Sequence, residues 1–250
     1  MIPTRPNSVT AILNGYRRPT PLPLQVQLLR NQTQPPDEIW LWMNYHEDFD
    51  LEKQYHLENL GVDKICYNDH NWKYFGRFAL AMLAQTDFVA IFDDDTIPGT
   101  KWLENCHTTY AKQEAILGGV GLHLLSDTEY MNHTRFGWTN PNDKPVAVDL
   151  VGHTWFINTN HLKYIWDEKP YTWDTGEDIH LSALAQIYGD ISTVVPPHPI
   201  NTRDLHSSLL GRELGVDDKA GSNIDTADNF SLRSKCIQHY ISRGWKLINA

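Results

Sequence analysis

At 250 residues, 41% of them hydrophobic, the chain has enough apolar side chains to bury a sizeable core, which excludes intrinsic disorder. A formal net charge of −10 lacks the basic footprint that nucleic acid or an anionic membrane demands, so no nucleic-acid partner is expected. The acidic balance still admits a phosphate-bearing substrate where a metal ion supplies the local positive charge.

Met1-Ile2-Pro3-Thr4-Arg5-Pro6 lacks an apolar leader core and no stretch reaches transmembrane length, so a soluble, cytoplasmic chain with no membrane segment is expected. Residues 9–13 read as a first strand, 22–30 as a helix entered through a Pro-rich turn, 39–43 as a second strand and 62–67 as a third. This alternation is the pattern of a parallel α/β sheet. Trp72, Phe75, Ala79 and Met82 recur at three-to-four spacing, and Phe78 and Leu83 widen the stripe, which predicts an amphipathic helix over 71–85.

That helix leads into Phe88-Val89-Ala90-Ile91-Phe92, an apolar run rich in β-branched and aromatic residues that reads as a buried parallel strand. Asp93-Asp94-Asp95 follow at its carboxyl end, where open α/β sheets bind their ligands. Three adjacent carboxylates repel one another and call for a counter-charge, most simply a divalent cation held by oxygen ligands. On an extended backbone Asp93 and Asp95 share a side, so these two can hold one metal while Asp94 points elsewhere. A solvated acidic turn before Pro98-Gly99 accounts for one such acid better than for three.

Further strands are predicted over 117–124 and 146–157, separated by a polar stretch over 126–144 with a turn at Asn140-Pro141-Asn142-Asp143. Gly176-Glu177-Asp178 precedes Ile179, Leu181, Leu184 and Ile187, an apolar helical stripe. Both acids therefore fall in a first helical turn, beside the positive end of the helix dipole. From Pro196 to about Asp228 the chain is polar and long enough to predict a functional loop or lid, and 232–241 reads as a closing helix. Cys66, Cys106 and Cys236 are odd in number and lack metal-type spacing, so they are expected to be reduced and structural. The expectation is one α/β domain with a C-terminal extension.

Read together, these residues resemble a nucleotide-sugar-dependent glycosyltransferase of the GT-A fold, close to the large inverting group typified by family 2. The likeness begins at Val9-Thr10-Ala11-Ile12-Leu13-Asn14-Gly15-Tyr16-Arg17-Arg18-Pro19, similar to the family's first strand and Tyr-containing turn. It continues through Gln32-Thr33-Gln34-Pro35-Pro36-Asp37-Glu38-Ile39, similar to the link into strand two. Asp93-Asp94-Asp95 stands as the DxD motif, Gly176-Glu177-Asp178 as the xED motif, and Val151-Gly152-His153-Thr154-Trp155-Phe156 in place of the glycine loop. The chain departs from the family at Met43-Asn44, where an Asp is common, and at Arg77, where an Asn is common.

The resemblance implies a single GT-A (Rossmann-like) domain: a mostly parallel central sheet flanked by helices, with a nucleotide-sugar-binding half (1–112), an acceptor-binding and catalytic half (113–195) and a C-terminal lid and helix (196–250). It implies sugar transfer from a nucleoside diphosphate sugar, with UDP the nucleotide the family favours, to a hydroxyl of a carbohydrate acceptor with inversion. Mn2+ or Mg2+ is the implied cofactor, held by Asp95 and Asp93. A histidine downstream of xED completes the set, His206 in preference to His198, because Asp204-Leu205-His206-Ser207-Ser208 looks more like a site loop than Pro197-His198-Pro199 does.

Asp178 is the implied base, beside Glu177. Tyr16, Arg17, Asn44, Arg77, Asp93 and Asp94 are expected around the donor, with Tyr16 against the base and Arg77, seconded by Lys73, toward the diphosphate. His153, Trp155 and Trp173 lie where an acceptor sugar would dock. Two other readings compete. A haloacid-dehalogenase-type Mg-dependent phosphatase wants Thr or Val two residues after its second Asp, where this chain has Ile97. A non-catalytic sugar-binding domain needs no base such as Asp178.

Overall fold

The computed structural model describes residues 6–18, 20–47, 57–214 and 226–248. Its first half contains β1 (Val9–Gly15), α1 (Leu22–Arg30), β2 (Glu38–Met43), β3 (Lys64–Tyr67), α2 (Gly76–Ala81), β4 (Phe88–Phe92) and α3 (Trp102–Tyr110). There follow β5 (Ala115–Leu124), β6 (His133–Gly137), β7 (Val146–Val148), β8 (Leu150–Asn158), a 3₁₀ segment at Thr159–Trp166, α4 (Glu177–Gly189), β9 (Ser192–Val195), α5 (Gly211–Leu214) and α6 (Thr226–Ser242).

The apolar runs of β1, β2 and β4 are buried on both faces, as strands covered by helices on either side must be. Along β4, Phe88, Ala90 and Phe92 pack with Leu22 and Leu29 of α1 and Trp102 and Cys106 of α3. Val89 and Ile91 pack on the opposite face with Phe75, Phe78, Leu162 and Leu181. A third cluster joins Val120 and Leu150 to Ile179 and Leu184 of α4 and to Ile237 and Tyr240 of α6.

The sheet runs β3-β2-β1-β4-β8-β5-β9-β7, with β6 paired to β5 off that path. β1 is parallel to β2 and β4, and β2 to β3. β8 enters between β4 and β5 antiparallel to both, so β5 runs with β4, and β9 is parallel to β5. The sheet is therefore mostly parallel, as the α/β reading expects, with β6, β7 and β8 reversed. The reversal brings the carboxyl end of β4 beside the first half of β8, with Phe92 opposite Thr154.

Several local expectations are corrected. The helix predicted over 71–85 shrinks to the six residues of α2, because Lys73, at φ 53°, leaves the helical path upstream. Phe75 and Phe78 are buried, but Trp72, Ala79, Met82 and Leu83 are exposed. The inward face is Gly76, Arg77, Phe78 and Ala81, and a Cβ at Gly76 would overlap the Trp42 ring, so this close approach requires glycine. The predicted strand 146–157 is two strands parted at Asp149, whose carboxylate accepts the N–H groups of Leu124 and Ile248, each at 2.7 Å.

β6 lies inside the predicted polar stretch, and its exposed Thr134 and Arg135 give no apolar run to read. α3 and β9 also form where no element was predicted. Of the predicted loop or lid, 215–225 lies outside the described residues. The part before it is fastened down: His198 Nε2 meets Ser207 Oγ at 2.9 Å, both fully buried, and Leu209 N–H donates to Ile97 O at 2.7 Å. All three cysteines are free. No helix among the described residues is long and apolar enough to cross a membrane.

Candidate functional site

The acid run leaves β4 on a turn held from two sides. Asp93 N–H donates to His153 O at 3.1 Å and Thr96 Oγ1 to the same carbonyl at 2.8 Å, while Gln25 Nε2 of α1 donates to Asp93 O and Thr96 O, both at 2.8 Å. His153 holds φ 66°, a left-handed conformation uncommon for a residue with a Cβ and concentrated at functional sites. One potential ligand atom from each of Asp93, Asp95 and His153 lies within 4.8 Å of the others. His153 Nδ1 is buried with no hydrogen-bond partner.

Asp94 stands outside that group, but not through the extended alternation expected: the chain turns at Asp94 and Asp95, with Thr96 N–H donating to Asp93 O at 3.1 Å. Arg18 takes Asp94 bidentately, Nη2 to Oδ1 at 2.6 Å and Nε to Oδ2 at 3.2 Å, and also donates from Nη1 to Leu214 O at 2.6 Å. Burial pushes the Asp94 carboxyl up to about 6, with Arg18 opposing. Burial likewise raises Asp95, whose carboxylate lies 3.7 Å from Arg18.

The second half of the site comes from the start of α4. Gly176, at φ 79°, turns the chain into the helix in a conformation that favours glycine, and Glu177 and Asp178 form the first turn, both buried. Glu177 Oε1 accepts from Arg77 Nη2 at 3.1 Å, and Arg77 Nη1 pairs with Asp93 Oδ1. Arg77, 2% exposed, therefore joins the metal-type group to the helix start, lying 4.8 Å from the Trp155 ring centroid. Asp178 Oδ2 pairs with Arg233 Nη2 of α6, whose guanidinium lies over the Tyr130 ring at 4.5 Å.

Burial, with the Asp178 charge beside it, pushes Glu177 up to about 7, against the pull of Arg77. The folded protein thus holds this proton more tightly than the unfolded chain, where a glutamate titrates at about 4.3. The resulting stabilisation is complete below that value and is lost as pH rises through about 7. Glu177→Gln, which mimics the protonated acid, should therefore gain on the parent in melting temperature as pH rises through this window and then level off. A difference that stays flat with pH overturns the assignment.

The other expected residues divide. Tyr16 and Asn44 meet through Asn71, whose Nδ2 donates to Tyr16 Oη at 3.0 Å and whose Oδ1 accepts from Asn44 Nδ2 at 2.8 Å. Trp173 is 51% exposed, edge-on to Phe75, and Lys73 is exposed near Asp174 at 3.8 Å. Arg17 Nε is buried without a hydrogen-bond partner, and its neighbour Arg18 makes the acid contact.

Trp155 is corrected: at 1% exposure, with Nε1 donating to Val151 O at 3.0 Å, it belongs to the core and cannot dock a sugar. His206 is corrected as the histidine of the metal-type group, because that histidine is His153, and His206 Nε2 faces Pro199 O at 2.8 Å.

Arg18 and Arg233 were missed. A paired Arg17-Arg18 before Pro19 carries a weak signal, since only one of two neighbours on an extended chain can face a given side. Arg233, on a distant helix, carries none. The meaning of this arrangement rests on its own geometry, for the chain matches no protein-family model and no curated protein.

Proposed function

We propose that the chain is a metal-dependent glycosyltransferase of the GT-A fold, moving a sugar from a nucleoside diphosphate sugar, UDP-linked by the resemblance, to a hydroxyl of a carbohydrate acceptor with inversion. The observation that carries this reading is the link through Arg77 between Asp93 of the metal-type group and Glu177, neighbour of the candidate base.

The side chains fit a resident divalent ion. Two carboxylates suit Mg2+ or Mn2+, the added imidazole favours Mn2+, and the unpartnered His153 Nδ1 lacks any other buried role. Asp93, Asp95 and His153 would hold the ion, which as a Lewis acid would neutralise the leaving diphosphate. Arg77 holds Asp93 toward the group and keeps positive charge beside it. Tyr16, Asn44 and Asn71 form a polar ledge at the ends of β1 and β2, where the nucleobase would rest. Asp178 takes the acceptor hydroxyl proton as the anomeric carbon is attacked. Arg233 fixes the direction of its carboxylate.

UDP should bind measurably only with Mn2+ or Mg2+, because Asp93 and Asp95 must otherwise face a diphosphate of like sign. Calorimetric titration in metal and in chelator tests this, with Asp95→Ala expected to erase the difference. Equal affinity in both conditions sinks the metal role. Hydrolysis of a UDP-sugar panel against a phosphate monoester, with manganese, tests the reaction class, and turnover of the monoester alone would transfer the chain to phosphatase chemistry.

A further inference from the structure

Beside the turn that follows the acids lies a half-open pocket of about 270 Å³. Trp138, Ile200, Arg203, His206, Ser208 and Glu213 are among its lining residues. It is tied to the site on two sides. Trp138 stands edge-on to His153, ring centroids 5.7 Å apart, and its indole Nε1 is buried without a hydrogen-bond partner. Ser208 Oγ accepts from Ile97 N at 3.2 Å and His206 O from Gly99 N at 2.9 Å, in the turn that follows the acids. On the other side of His153, a Cβ at Gly152 would stand 3.6 Å from Asp178 Oδ2, so the candidate base is close by.

The lining has the chemistry of a sugar site. An aromatic face covers the apolar side of a pyranose. A guanidinium and a carboxylate together satisfy neighbouring hydroxyls, one donating and one accepting. Arg203 uses one N–H on Leu209 O at 2.7 Å and forms no ion pair among the described residues, and neither does Glu213. The two charges balance, so the cavity has no net attraction for phosphate or another anion. Small-molecule pockets span about 300–1,000 Å³, so this one suits a single ring and not an extended chain.

We propose that this cavity is the acceptor subsite and takes one neutral pyranose unit, stacked on Trp138 and hydrogen-bonded by Arg203 and Glu213. The inference rests on the glycosyltransferase reading. It relocates the acceptor platform from Trp155, which the core buries, to Trp138.

Ligand-observed NMR with methyl glycosides of glucose, galactose and mannose, with and without UDP and Mn2+, tests it. At least one should bind saturably in the range of roughly 1–10 mM, as expected for so small a ligand. Trp138→Ala should weaken that binding at least tenfold. Ile200→Trp, placed at a side chain 71% exposed and so harmless to folding, should block the mouth and abolish binding at an unchanged melting temperature.

The proposal is overturned if no glycoside binds under either condition, if binding survives Ile200→Trp, or if methyl glucuronide binds more tightly than the neutral glycosides. Titration of UDP with Mn2+ into the unaltered protein separates the two readings. UDP binding without glycoside binding leaves the donor reading standing and removes this one. Glycoside binding in a protein that never takes UDP keeps the sugar site and sinks transfer.

Discussion

Asp178→Asn is expected to lower transfer by about 10²–10⁴-fold, because Asn keeps the size of the side chain but loses the basic lone pair. The structure adds a second effect. Asp178 is the ion partner of Arg233, whose side chain is 15% exposed over Tyr130, and leaving so largely buried a charge unpaired costs at most about 3–5 kcal/mol. In a chain of this length that is a fall of roughly 6–20 °C in melting temperature. Loss of activity alone therefore does not distinguish a base from a structural partner.

The double variant Asp178→Asn/Arg233→Met does distinguish them. Met fills much of the space and removes the orphan charge, so most of the lost stability should return while transfer stays low. Melting curves and single-turnover transfer on all four proteins measure both quantities. Recovery of transfer together with stability would make Asp178 a structural anchor and remove it from the chemistry.

Arg77→Met should be the most damaging substitution in the amino-terminal half. The guanidinium neutralises Asp93 and Glu177 at once from a position 2% exposed, and its loss leaves two acids facing each other across the gap. Breaking a buried pair in this way costs about 3–5 kcal/mol, again roughly 6–20 °C. Manganese should restore part of it, since an ion at Asp93 and Asp95 replaces one of the two missing contacts. The melting temperature gained on adding Mn2+ should therefore be larger in the variant than in the parent. A variant that melts with the parent would show that Arg77 carries no such charge balance.

Arg77 marks the boundary between what local sequence pattern encodes and what only the tertiary fold decides. β1, β2 and β4 were legible because a strand covered on both faces must be apolar along its whole length, and α1 was read to its observed ends, Leu22–Arg30. Asp94 does part from Asp93 and Asp95, but a turn at Asp94-Asp95 separates them and not the two-residue repeat of an extended chain. α2 misled because spacing rules assume that arginine seeks water, whereas here two acids draw Arg77 inward and turn Ala79, Met82 and Leu83 outward. His153 as a companion of the acids depends on β8 entering the sheet reversed, a tertiary event with no local signature. Trp155 and Trp138 look alike in sequence, and only the packing of β8 against α2 decides which one solvent can reach.

The reversed β8 also sets an order of events during synthesis. β1 to β4 are complete once the acid run has been made, and at that moment Arg18 and Arg77 are the cations available to it. His153 arrives with β8, Glu177 with α4, and Arg233 only near the end of the chain. At about 5–20 residues per second, the acids wait several seconds for these companions. Until β8 is made, the β4 edge of the parallel strands has no partner, and the acid run stands at the end of that edge. Charged side chains on an open edge disfavour its pairing with another chain, and these acids with their arginines are the charges present there until β8 covers it.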